Sequence, residues 1–385
     1  TGFSMGNALP HPIRSKWIER TGSRHYTVAS AEMQGWRHNM EDAKSLSLSL
    51  SEKHPDLSLF GVYDGHAGEE TSKYLEKVLP TKLGDLDYPT RKSEIVDAML
   101  EIDEEVLNNP DTRSHGSTCV YALVRPRPSP EAGEEREYEV TIANIGDSRA
   151  VLLRKDGRWK LLTRDHKPSL AEERSRIEMA EGKVENDRVD GQLALSRAIG
   201  DWNYKLNGKL KPHQQKVIAT PDVSRILARE GDCLLICCDG LFEKLSTHEV
   251  CGFIHDDLKT SNFEDPAMSL ARLLDLSLDK GSKDNMTAIV VLFRNGMEYS
   301  RKGNRLIAGR FFESAKDDKF KSAYIAFAKS KGIVGEELKR MIPKTIETEK
   351  SPREREFSSV LSQLDPPDRS LLMAMMEGEE KNDKK

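Results

Sequence analysis

Leu59-Phe60-Gly61-Val62-Tyr63-Asp64-Gly65-His66-Ala67-Gly68 decides how this chain reads. An apolar run rises to Tyr63, and an acid, a glycine and a histidine follow at once. That is the pattern of a buried strand delivering polar groups to a sheet edge. Asp64 then stands where a core strand emerges, and Gly65 lets the backbone approach whatever Asp64 holds. Taken alone, the same residues fit an ordinary Asp-Gly turn. The rest of the chain has to decide.

With 385 residues the chain can bury a large core and is expected to hold one large domain with a smaller appendage. Net charge is −5 and the isoelectric point is near 6.1, so no global basic field or basic patch recruits nucleic acid or anionic lipid. The five cysteines show no Cys-x-x-Cys spacing and read as reduced core residues of an intracellular protein, cytoplasmic or nuclear. Apolar runs such as Cys233 to Cys238 and Ala288 to Phe293 are too short to span a bilayer. A monomer is the expected state. Thr1-Gly2-Phe3-Ser4 reads as an expression remnant before a natural start at Met5. Met5-Gly6-Asn7-Ala8 is a partial N-myristoylation signal, with Pro10 where the motif wants Ser or Thr. A myristoylated Gly6 would add weak membrane association.

Residues 1–23 read as an N-terminal arm, 24–295 as a catalytic domain, and 296–385 as a helical extension. Alternation from His25 to Met33 predicts a strand ending at Gly35. Helices are expected over Glu69 to Leu79 and Ser93 to Val106, the second with Ile95, Met99, Ile102 and Val106 on one face. Strands follow at Ser117 to Val124, Tyr138 to Ile145 and Ala150 to Arg154, with an exposed loop from Arg125 to Arg136. Ser169-x-x-Glu172 predicts a capping box for a helix that stops near Gly182. The polar stretch Asp201 to Thr220 reads as a mobile flap. Leu234 to Cys238 and Met286 to Phe293 are predicted strands, and a helix is expected from Asp265-Pro266 to about Asp279. Beyond Asn295, Phe320-Tyr324-Phe327 and Leu338-Met341 suggest short amphipathic helices, and Glu377 to Lys385 is expected to fray.

Four apolar segments abut acids: Glu41 and Asp42, Asp64, Asp239, and Asp284 with Asn285. Singly, such acids are solvated turn residues. Brought to one edge, clustered carboxylates raise one another's pKa unless a cation neutralises them. All-oxygen ligands select hard ions, so Mg²⁺ or Mn²⁺ is expected. Two such ions can generate hydroxide at neutral pH and stabilise in-line displacement at phosphorus. Arg37 offers a fork for a phosphate dianion, though by position alone a solvated surface role is equally open. His66 would protonate the leaving oxygen.

Met33-Gln34-Gly35-Trp36-Arg37, Met40-Glu41-Asp42-Ala43 and Val62-Tyr63-Asp64-Gly65-His66-Ala67-Gly68 resemble the metal-dependent protein serine/threonine phosphatases of the PPM family, 2C type. Gly116-Ser117-Thr118, Gly146-Asp147-Ser148-Arg149, Asp165-His166-Lys167-Pro168, Leu195 to Asp201, Cys238-Asp239-Gly240 and Asp284-Asn285-Met286-Thr287 follow in family order. The resemblance covers about Tyr26 to Phe293. It implies an α+β fold, a four-layer αββα sandwich of two antiparallel sheets flanked by helices. It also implies dephosphorylation of phosphoserine and phosphothreonine in protein substrates by direct attack of an activated water. Asp64 would bridge two tight ions, with Glu41 and the Gly65 carbonyl on one and Asp239 and Asp284 on the other. Asp42 and Asn285 would orient those ligands, Arg37 would bind phosphate, and His66 would be the general acid. Asp147 would hold a weaker third ion that shares Asp239, with Glu243 where animal enzymes often place an aspartate. The tail loosely resembles the helical extension of the animal branch, chiefly at Phe357 to Pro366.

A calcineurin-like metallophosphoesterase also carries an Asp-x-His pair, but Gly-Asp-x-x-Asp-Arg-Gly and Gly-Asn-His are both missing. A pseudophosphatase serving as a binding platform is the other alternative. It predicts missing metal acids, whereas Glu41, Asp64, Asp239 and Asp284 are all in place.

Overall fold

The computed structural model describes residues 8–128, 135–294, 296, 299, 303–307, 309 and 317–338. The chain opens with β1 (Ala8–Gly22), β2 (Tyr26–Arg37), β3 (Ala43–Ser47), β4 (Ser58–Tyr63) and β5 (Gly65–His66). Helices α1 (Glu70–Asp85) and α2 (Lys92–Asn108) lead to β6 (Gly116–Ser117), β7 (Cys119–Pro126), β8 (Glu137–Ile145), β9 (Arg149–Leu153) and β10 (Trp159–Leu161). Next come α3 (Ala171–Met179), β11 (Val184–Glu185), β12 (Arg188–Val189), β13 (Ile199–Gly200), β14 (Asp222–Arg229) and β15 (Cys233–Cys237). Last are α4 (Thr247–Thr260), α5 (Pro266–Asp279), β16 (Met286–Phe293), β17 (Gly303–Ile307) and α6 (Asp318–Ser330).

Two antiparallel sheets form the body: a seven-stranded one ordered β10-β9-β15-β16-β2-β1-β17 and a five-stranded one ordered β14-β8-β7-β4-β3. Helices flank both. The predicted face of α2, Ile95, Met99, Ile102 and Val106, is buried with Leu75, Leu79 and Leu83 of α1 against Leu59, Tyr63 and Tyr121. Each such side chain contributes roughly 1.5–3 kcal/mol when taken from water. On the other side, Leu270, Leu273 and Leu274 of α5 and Val250, Ile254 and Leu258 of α4 join the core of the seven-stranded sheet. Tyr26, Phe60, Tyr138 and Phe293 come from four strands of both sheets and pack ring to ring, Tyr138 and Phe293 with centroids 4.8 Å apart. Tyr26 pairs with Phe293 at one end of β2–β16, and Met33 with Met286 at the other. The aromatic plug therefore closes the end of the sandwich opposite the acids.

Three expectations need correction. The N-terminal arm 1–23 is, from Ala8 to Gly22, a sheet strand between β2 and β17. Its polar residues are paired: Lys16 reaches Asp275 at 2.7 Å and Arg20 takes Asp265 with two 2.8 Å bonds. The boundary at 295/296 also cuts that sheet, because β17 pairs with β1 from Gly303 to Ile307. Finally, α3 has Leu170 at its N-cap with no side-chain cap. Ser169 donates its N–H to Asp187 at 2.8 Å and Glu172 pairs with Arg164. The capping box belongs to α4, where Ser246 and Glu249 bond reciprocally at 2.8 and 3.2 Å. The stretch 201–220 is pinned by two short 3₁₀ turns, by Lys205 on the buried Asp103 at 2.7 and 2.9 Å, and by Gln215. Phe320, Tyr324 and Phe327 do share the buried face of α6, against Leu9, Ile13 and Met40. Leu338 is buried near Ile333. Met341, Phe357 to Pro366, Gly6 and the stretch Glu377 to Lys385 lie outside the described residues.

Candidate active site

β4 ends at Tyr63, and Asp64 is held at its exit by Thr118: Asp64 N–H donates to Thr118 Oγ1 at 3.1 Å and Thr118 N–H to the Asp64 carbonyl at 2.9 Å. Gly65 then pairs with Ser117 in a small sheet, β13-β6-β5. A Cβ on Gly65 would stand 2.3 Å from the Glu41 carbonyl oxygen, so only glycine permits this approach. Antiparallel pairing of β15 with β16 sets Cys237 opposite Ala288, which brings Asp239 and Asp284 to the same end. Two-strand register and one strand exit thus assemble acids from residues far apart in sequence.

Asp42, Asp64 and Cys238 each turn one candidate ligand atom to within 4.8 Å of the others. Asp42 is buried, with the Thr287 and Cys238 side chains as its hydrogen-bond neighbours. Burial, with the charge of Asp284 added, raises its pKa to about 7. Burial also pushes Asp64 well above the usual carboxylate range, helped by Asp42, Asp239 and Asp284. Asp239 rises for the same reason, with Asp147 and Asp284 as its charged neighbours and Lys167 opposing them. Asp284 and Glu41 are raised by burial too, against the pull of Arg37 on both. The protein answers this charge only in part, through Arg37 toward Asp284 and Glu41 and Lys167 toward Asp239.

Arg37, at the end of β2, donates Nη2 to Asp284 Oδ2 at 2.6 Å. Asn285 accepts the Glu41 N–H at 2.9 Å and donates to the Gln34 and Asn39 carbonyls, so it fixes the loop carrying Glu41. His66 Nε2 lies 2.7 Å from Asp201 Oδ2. Burial disfavours its imidazolium, but Asp201, with Asp147 and Glu41 behind it, outweighs burial and raises the pKa. Asp201 takes a left-handed backbone, φ 57°, with its N–H on the His115 carbonyl at 3.0 Å.

Asp147 is buried and paired with Lys167. Glu243 accepts from Lys283 N–H at 2.7 Å and Ser282 Oγ at 3.2 Å, which spends its carboxylate on the loop before Asp284. The Asp165-His166-Lys167 motif acts as a brace: Asp165 grips Arg149 at 2.8 and 2.9 Å, and His166 Nδ1 accepts the Gly146 N–H at 3.0 Å. Sequence reading gave no role to Asp201, Lys167, Thr118 or Cys238. All four sit in motifs or beside them, but their partners are distant in sequence.

A sequence model of the family "Protein phosphatase 2C" matches residues 26–286. The chain belongs to the protein phosphatase 2C family. It is 34% identical over 316 residues to protein phosphatase 1B of Homo sapiens, covering 77% of this chain and 63% of that one. It is 35% identical over 314 residues to a probable protein phosphatase 2C of Paramecium tetraurelia, covering 75% of this chain and all of the relative. Among solved structures, a Toxoplasma gondii phosphatase superposes with a TM-score of 0.68 at 32% identity, covering 76% of this chain and all of that one. The chain therefore spans just under two thirds of the length of the human relative. The 2C family segment runs from the first residue of β2 to the first of β16 and contains every acid of the site, leaving β1, β17 and α6 outside it.

Proposed function

We propose that this family member is a metal-dependent protein serine/threonine phosphatase acting on phosphoprotein substrates. The observation that carries the reading is the cluster of Asp42, Asp64 and Asp239, where burial and neighbouring carboxylates raise every pKa. A hard cation satisfies such a donor set, and the oxygens of Glu41, Asp64, Gly65, Asp239 and Asp284 would hold two Mg²⁺ or Mn²⁺ ions. Asp42 and Asn285 would orient them. When bound, the ions supply Lewis acidity and lower the pKa of water. Lys167 at Asp147 and the loop bonds of Glu243 would compete with a third ion, as Arg37 would compete at Asp284.

Arg37 presents its guanidinium at the mouth of the acidic end and would take the phosphate dianion in a forked contact. His66 would give a proton to the serine or threonine oxygen as the P–O bond breaks. With Asp201 2.7 Å from Nε2 and accepting its proton, the ring would be oriented and Nδ1–H would be the proton passed on. A thiolate nucleophile is disfavoured, because all five cysteines are buried and burial raises their pKa values. The direct test is hydrolysis of phosphoserine and phosphothreonine peptides with Mn²⁺, with EDTA, and after re-addition of metal. Turnover that EDTA abolishes and Mn²⁺ restores is expected; EDTA-resistant turnover, or none in any condition, would overturn the reading.

A further inference from the structure

The open edges of the two sheets, β10 and β14, run side by side and enclose a groove of about 1030 Å³. Apolar side chains stand out along it: Trp159 is 38% exposed and Leu227 41%. Along the β9–β10 side the chain reads Arg154-Lys155-Asp156-Gly157-Arg158-Trp159-Lys160, four cations against one acid, while Glu135, Arg229, Glu230 and Asp232 line the rest of the groove. Arg154 is committed to Asp232 at 2.7 Å and Arg158 to Asp156 at 2.7 Å. Among the described residues, Lys155 and Lys160 form no ion pair, and both are exposed.

The backbone of β10 is also available. Arg154 N–H bonds the Arg158 carbonyl at 2.7 Å and Leu162 N–H the Ala150 carbonyl at 2.8 Å. With Trp159 opposite Leu153 and Leu161 opposite Val151, antiparallel alternation turns the N–H and C=O groups of Trp159 and Leu161 outward, away from β9. An edge strand with free amides is a template for strand addition. The sheet carries the groove away from the acids: Cys237, next to Asp239, faces Arg149, whereas Cys233 faces Leu153 and so Trp159. That is about 14 Å down the strands at ~3.4 Å per residue.

We propose that this groove docks an extended acidic segment of a protein partner or substrate, added as a strand to β10. Glutamate or aspartate side chains would meet Lys155 and Lys160, and alternate apolar residues would cover Trp159 and Leu227. The active site stays open while the segment is held, so docking would fix which phosphoproteins linger near it. A nucleic acid would use the same cations but not the outward amides.

The test uses the full chain and a fluorescein-labelled peptide of alternating glutamate and valine, followed by anisotropy. Saturable binding is expected, with p-nitrophenyl phosphate turnover unchanged at saturation. Lys155→Glu with Lys160→Glu should weaken binding about tenfold or more, since two exposed attractions become repulsions. Leu161→Pro should weaken it comparably, because it deletes one outward N–H at a place where an edge strand tolerates proline. Both variants should keep wild-type turnover. The proposal falls if the peptide does not bind, if the lysine reversals leave affinity unchanged, or if peptide binding inhibits turnover. It also falls if Leu161→Pro binds normally, or if an oligothymidylate of equal charge binds as tightly.

Discussion

Replacing Gly116 by alanine should strike the proton donor without touching an acid proposed to hold an ion. A Cβ built there stands 2.1 Å from His66 Nε2 and 2.3 Å from Asp201 Oδ2. Ordinary contacts lie at about 3.5–4.0 Å, so the two groups must part by about 1.5 Å. Their 2.7 Å bond then opens past about 4 Å, where no hydrogen bond survives. A hydrogen bond to a charged group is worth about 1.5–3 kcal/mol, equivalent to roughly 10- to 150-fold in rate if all of it serves the transition state. That lies within or below the ~10²–10⁴-fold typical of general acid catalysis. Gly116 has no positive φ, so the backbone itself should accept alanine. The assay compares kcat on a phosphothreonine peptide, whose alkoxide leaves poorly, with p-nitrophenyl phosphate, whose phenolate needs little help. The peptide rate should fall by that factor and the nitrophenyl rate hardly at all. Gly208→Ala, where an added Cβ meets nothing within 4 Å, serves as control. Equal losses on both substrates, or full activity on the peptide, would refute the reasoning.

Other outcomes follow from the buried charges. Glu32 is held by Lys44 and Lys331, and Lys44→Met should cost roughly 3–5 kcal/mol by leaving Glu32 undercompensated, read as a fall in urea midpoint; an unchanged midpoint would show that Lys331 suffices. Glu32 has a pKa lowered to about 2, because Lys44 and Lys331 outweigh burial. Glu173 is likewise lowered to about 2, Arg197 and Arg176 outweighing burial. Their stabilisation is therefore complete above the unfolded value near 4.5 and lost as pH falls toward 2. Glu173→Gln should flatten the stability profile between pH 4.5 and 2, and a profile of unchanged slope would contradict that. Truncation after Tyr299 should lower thermal stability, because removing β17 and α6 bares Leu9, Ile13 and Met40; a truncated chain that melts like the full one would show those contacts to be idle.

The acids were legible because each abuts a strand end, Asp64 and Asp239 after β4 and β15, Asp42 and Asp284 before β3 and β16, and the predicted strand Met286 to Phe293 matches β16 end for end. The segments that escaped reading lack that contrast. β14 alternates only weakly, with half its residues exposed, and β5, β6 and β13 are two residues long. β1 looked like an arm because its buried face includes Ser15 and Lys16, polar groups satisfied only by the rest of the fold. Side-chain partners such as His66 with Asp201 or Asp147 with Lys167 leave no periodic trace at all. Local pattern locates an acid at a strand end; it does not reveal which cation, if any, already answers it.

The pairing of Lys16 with Ile307 also sets a timetable for synthesis. At 5–20 residues per second, a ribosome needs about 15–60 s between making the first strand and making its outer neighbour. Until then β1, fifteen residues long, offers one bare edge to any other nascent strand. Holdase chaperones that bind extended apolar chain should therefore engage this protein early in translation and let go only once residue 307 has cleared the exit tunnel.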